Sequence, residues 1–201
     1  MRTIKKVASH IFIDGFGGMT QGLFATLIIG TMIQQIGLLI GGSTGNVIYL
    51  LGKAAAALTS AGIGVGVAVK YGESPLVTVS AAVAAMVGGY AGKITGGTFF
   101  VDGNAVLAGP GEPLGAFIAA FAGITCGHLV SGKTKVDIIV TPVITIGAGS
   151  VVGLLVGPPI SQMMTGLGSI INWATEQRPF IMGIVAVSYT HLRAHETTLH
   201  L

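Results

Sequence analysis

Apolar residues run along this chain in blocks about as long as a bilayer is thick, with short polar or glycine-rich stretches between them. A spanning helix needs about 20 mainly apolar residues. The first block extends from about Gly15 to Ile40 and contains FATLIIGTMIQQIGLLI. A loop from Gly41 to Gly45 separates it from a second, roughly Asn46 to Val69. The third begins after Pro75 and ends near Gly92, the fourth covers about Pro113 to Val130, and the fifth about Val136 to Val156. Between the third and fourth, Lys93 to Glu112 is polar and rich in glycine, with Phe99, Phe100 and Val101 inside it.

After Pro158 and Pro159 the pattern changes. Ile160, Met163, Met164, Leu167, Ile170 and Ile171 recur at helical spacing, with Ser161, Gln162, Ser169 and Asn172 between them. That spacing predicts an amphipathic or re-entrant helix at the interface, anchored by Trp173. A sixth span starts at Pro179 with FIMGIVAV and stops half-way. The expected fold is therefore all-α: a polytopic transmembrane helical bundle of about five full spans plus a truncated sixth. Residues 1–187 read as the N-terminal part of a longer membrane domain.

Composition agrees. The 201 residues are 51% hydrophobic and only 8% charged, where soluble domains carry about 25% charged residues. The 33 glycines follow no triplet period, so they point to closely packed membrane helices and not to collagen. Gly62 with Gly66, Gly88 with Gly92, Gly123 with Gly127 and Gly149 with Gly153 form small-xxx-small pairs. These support close helix packing without marking a site. The single cysteine, Cys126, lies in an apolar run and reads as a small buried hydrophobe, so neither a disulfide framework nor a cysteine metal site is expected. No basic stripe with interleaved aromatics suggests nucleic-acid binding.

Lysine and arginine bias sets the orientation. Arg2, Lys5 and Lys6 precede the first span, Lys70 follows the second, and Lys133 and Lys135 follow the fourth; with alternating spans all share one side. Lys93 and Arg178 fall on the other side, near Asp102 and Glu112. The N-terminus is accordingly placed in the cytoplasm.

From Ser188 the composition shifts to SYTHLRAHETTLHL, with three of the five histidines. A charged segment at mid-bilayer depth is costly. His191 and His195 have i, i+4 spacing but no further ligand arranged around them. The string resembles translated sequencing-adapter read-through, and 188–201 is read as a non-native tail.

Polar groups within spans are functional candidates. His128 near the end of the fourth span and Gln34 in the first are two, each with a structural reading beside it: a satisfied helix-terminal histidine, and an interhelical hydrogen bond. Lys53 is expected to snorkel, and Asp137 to balance Lys133 and Lys135. The most informative stretch is DGNAVLAGPGEP, where Asp102, Asn104 and Glu112 sit among glycines and prolines that forbid regular helix. Carboxylates and an amide suit the hydroxyls of a neutral polyol or sugar. Glu112 stands out because Pro110 and Pro113 restrain the backbone around it and Pro113 suits a first helical turn, which puts a carboxylate at a helix N-terminus. Its rival reading is an ordinary external turn. No phosphate-binding GxxxxGK[ST] loop and no nucleophile with a paired base occurs, so no catalytic residue and no cofactor is expected.

The strings FIDGFGGMTQGLFATLIIGT, GPGEPLGAFIAA, LVSGKTKVDIIVTPVITI and GPPISQMMTGLGSIINWATEQRPFIMGI resemble the membrane subunit IIC of the phosphoenolpyruvate-dependent sugar phosphotransferase system. The branch in question also contains regulators of toxin production of the PfoR type. The resemblance covers roughly residues 10 to 186. It implies a longer protein that binds sugar within its membrane domain, with phosphoryl supplied on the cytoplasmic side by phosphorylated IIB, itself served by IIA. It implies no covalent phospho-residue in this chain. A homodimer is the expected assembly. Two other functions stay open: a membrane regulator that keeps the transporter fold, and an unrelated secondary transporter, for which no convincing inverted repeat is present.

Overall fold

The computed structural model describes residues 10–107 and 109–177. The expectations for Arg2, Lys5 and Lys6, for the side chain of Trp173, and for 178–201 fall outside that part. Packing divides the chain into a first unit through Ser161 and a second from Gln162.

Helix α1 spans Ile13–Ile40. It is α-helical over Phe16–Leu23 and Ile29–Ile40, with one π-turn, His10–Gly15, leading into it and a second at Phe24–Ile28. The second π-turn has a packing consequence. Eight residues of pure α-helix at about 100° each would leave Gly30 some 80° off the line of Gly22; the wider turn advances less per residue and restores the alignment. Gly18, Gly22, Gly30 and Gly37 consequently all face the returning chain, where they are buried.

The turn between the first two spans is shorter than the expected loop. Gly41, with φ +66°, carries it, and helix resumes at Gly42. The second span is broken: α2 (Gly42–Ala57) and α3 (Thr59–Lys70) meet at Leu58 with a bend of 53°. No proline is involved. The Thr59 hydroxyl donates to the Ala56 carbonyl at 2.6 Å and the Tyr90 hydroxyl reaches the Ala57 carbonyl at 3.1 Å, so side chains take up acceptors that a continuous helical ladder would use. That tertiary competition is invisible in an apolar run.

Helix α4 (Pro75–Gly89) opens with Ser74 as N-cap and Pro75 in its first turn. Its 15 residues rise about 22 Å, less than the roughly 30 Å hydrocarbon core. The third expected span is thus too short to cross alone. A short helix α5 (Ala91–Thr95) and a hairpin of β1 (Phe100–Val101) and β2 (Asn104–Ala105) follow. Asp102 at φ 51° and Gly103 at φ 78° form its turn, the left-handed pair that two-residue hairpins favour. Helix α6 (Pro113–Val130) runs back. Helix α7 (Asp137–Gln177) continues through Pro142, Pro158 and Pro159, where a break after the last two was expected. Membrane helices tolerate such prolines because neighbouring groups re-satisfy the freed carbonyls.

In the first unit, α3, α4 and α6 pack around Ile63, Val67, Val77, Ala81, Ala85, Phe117, Ala120 and Ile124. Glycine and alanine set the approach: a Cβ on Gly22 would come within 2.3 Å of the Gly62 carbonyl oxygen, and one on Gly88 within 2.3 Å of Ala119 Cβ. The four small-residue pairs all lie in such contacts. Large apolar side chains such as Phe24, Met32, Leu39, Leu51, Ile138, Val143 and Leu155 face outward, as a lipid-facing surface requires. Among the described residues three helices are long and apolar enough to cross a membrane, or four if the bent α2–α3 pair is one span. In the second unit the described residues are helical, and Met163, Leu167 and Ile170 are exposed.

Candidate functional site

The segment between β2 and α6 leaves the hairpin and tucks against the first unit's core. Ser60, two residues past the Leu58 break and fully buried, donates its hydroxyl to the Pro110 carbonyl at 3.0 Å. Tyr90, 1% exposed, hydrogen-bonds the Gly109 carbonyl as well as that of Ala57. The Glu112 N–H donates to the Gly89 carbonyl at 2.7 Å. Gly111, at φ +74°, has no room for a side chain: a Cβ there would lie 2.4 Å from Ser60 Oγ.

Beside this strap is a cavity of about 220 Å³ lined by Gly89, Gly92, Lys93, Pro110, Gly111, Glu112 and Ser161. It is smaller than the drug-sized pockets of about 300–1,000 Å³, which suits a small polar ligand. Its polar equipment is mixed. Glu112 is the N-cap residue of α6 but its side chain makes no capping bond. Lys93 lies 5.3 Å from the centre of the Tyr90 ring. Ser161 and the backbone exposed by three glycines complete the wall. Such a set can accept and donate hydrogen bonds to several hydroxyls at once.

Of the five residues singled out from sequence, the structure brings Glu112 alone to this cavity. Asp102 and Asn104 are exposed on the hairpin turn, where Asn104 Nδ2 donates to the Asp102 carbonyl at 3.2 Å. Gln34 lies against Gly52 of α2, and its Nε2 donates to the Gly30 carbonyl within its own helix at 3.4 Å. His128 is at the opposite end of α6, paired with Glu73. Asp137 does not serve its neighbouring lysines: Oδ1 accepts from the Gly132 N–H at 2.9 Å and the Thr141 hydroxyl at 2.6 Å. Sequence reasoning missed Ser60, Tyr90, Lys93 and Ser161. The first two sit inside or beside apolar runs, and nothing in spacing tells a buried serine that fastens a strap from one that bonds its own helix.

Apolar outer faces, glycine-spaced helix contacts and a strap folded between helix ends define an α-helical membrane protein with a small polar site. Residues 13–192 match the family described as Phosphotransferase system, EIIC. The chain belongs to that family, and is a membrane component of sugar transport by the phosphotransferase system, which works with a sugar substrate and with IIA and IIB partners. No curated protein and no solved structure matches it significantly.

Proposed function

We propose that the cavity beside Glu112 holds the transported sugar, and that Glu112 accepts hydrogen bonds from its hydroxyls while Lys93 and Ser161 serve from the facing side. One observation carries this reading: an acidic side chain not used as a cap lines, with Lys93 and Ser161, a small cavity where α4 ends and α6 begins. In this reading Asp102 and Asn104 guard the approach from the hairpin, and Gln34 and His128 stabilise helices without touching sugar. The N-terminus and the loops bearing Lys70 and Lys133 face the cytoplasm of a bacterial cell, where phosphorylated IIB acts, and the working assembly is a homodimer.

The decisive experiment uses the full-length protein. A hydrogen bond to a charged acceptor contributes about 1.5–3 kcal/mol, so Glu112→Gln should weaken sugar binding about ten- to a hundredfold at unchanged folded yield. Normal affinity in well-folded Glu112→Gln protein removes this cavity from the sugar path.

A further inference from the structure

The strap is attached at points that coincide with interruptions in the helices. Tyr90 stands one residue past the end of α4, and its hydroxyl lies between the carbonyl of Ala57, the last residue of α2, and that of Gly109 in the strap. A phenol carries one hydrogen, so it serves these two acceptors in competition or shares it between them. Ser60 repeats the connection one step on, from the first turn of α3 to Pro110. The far end of the strap is held by the bond from Glu112 N–H to Gly89, after which Pro113 restrains the backbone. Three strap residues are therefore bonded: Gly109 to Tyr90, whose hydroxyl also reaches Ala57 before the Leu58 bend, Pro110 to Ser60 after it, and Glu112 to the end of α4.

We propose that Tyr90 and Ser60 are positioning residues for Glu112. They tie the strap to the bend of the α2–α3 span, so that the angle of that span sets where the carboxylate stands in the cavity. Neither residue lines the cavity, so they act through the strap. The inference rests on the sugar-site reading for its functional meaning, but the mechanical link can be measured without sugar.

The test places a reporter thiol by Glu112→Cys in a Cys126→Ala background of the full-length protein, and follows its labelling rate in membranes. Tyr90→Phe keeps the ring packed on Phe99, 5.3 Å between centroids, and removes only the hydroxyl; Ser60→Ala removes the other attachment. Each should raise the labelling rate about fivefold, the population change that losing one ordinary hydrogen bond produces. Unchanged labelling in both variants overturns the proposal. With Glu112 intact, Tyr90→Phe should also weaken sugar binding, and the loss should vanish when Glu112→Gln is already present. An equal loss in both backgrounds means a general structural effect and overturns the positioning role. If labelling rises while Glu112→Gln leaves sugar binding intact, the positioning role stands and the sugar assignment falls.

Discussion

His128 Nδ1 lies 3.0 Å from Glu73 Oε1, joining the end of α6 to the turn that precedes α4. Next to it the hydroxyls of Ser74 and Ser131 are 3.1 Å apart. Two turns distant in sequence are thus pinned together at the end of the bundle away from Glu112. Glu112 caps the start of α6 and His128 lies in its last turn, about 24 Å along the helix axis, so a sugar held at Glu112 is out of reach of His128.

His128 is 71% exposed and Glu73 only 9%, and a hydrogen bond between such side chains contributes about 0.5–1.5 kcal/mol. His128→Ala should therefore lower the thermal midpoint slightly and leave sugar affinity unchanged. A tenfold loss of affinity in folded His128→Ala protein would put the histidine back in the sugar path.

Two glycine substitutions should differ in sign. Gly22→Ala drives a methyl into α3 backbone, 2.3 Å from the Gly62 carbonyl oxygen and 2.7 Å from the Ile63 nitrogen; overpacking costs about 1–3 kcal/mol. Gly147→Ala meets nothing within 4 Å and gains up to about 1 kcal/mol of helix propensity. Detergent melts of the two variants check this, and equal midpoints would show that α1 and α3 do not approach so closely.

Orientation can be read by thiol labelling of intact cells in a Cys126-free protein. Asn104→Cys and Ser43→Cys should label from outside, whereas Ser74→Cys and Ser131→Cys should not. The last two combined should also cross-link to each other under mild oxidation, given the proximity of their side chains. External labelling at position 74 would reverse the assigned orientation.

Tyr71, in the turn after α3, has its phenol pushed above its ordinary value by burial and then by the negative charge of Asp14. The unfolded chain therefore releases this proton at lower pH than the folded one. The stabilisation is complete below pH 10 and is lost as pH rises through the folded value. Tyr71→Phe should lose less stability than the wild type as pH rises above about 10, as paired melts would record. Parallel curves would mean that the phenol is no more protected folded than unfolded.

The sequence by itself determined that this is a membrane protein, roughly where its helices lie, and that the segment ending at Glu112 is irregular. Those conclusions depend on runs of apolar residues and on prolines and glycines, whose effects are local and additive along the chain. The tertiary structure alone decided the break at Leu58, the shortness of α4, and which polar residues meet. Ser60 and Pro110 are 50 positions apart, and whether a carbonyl at a helix break bonds its own helix or another side chain depends on what packs beside it. Asp102, Asn104 and Glu112 look alike as a cluster in the chain, yet a two-residue hairpin turn sends the first two to the surface while Pro113 and Gly89 hold the third at the cavity. A register of hydrophobic positions cannot encode that separation, because it arises from hydrogen bonds between groups that become neighbours only once the helices have packed.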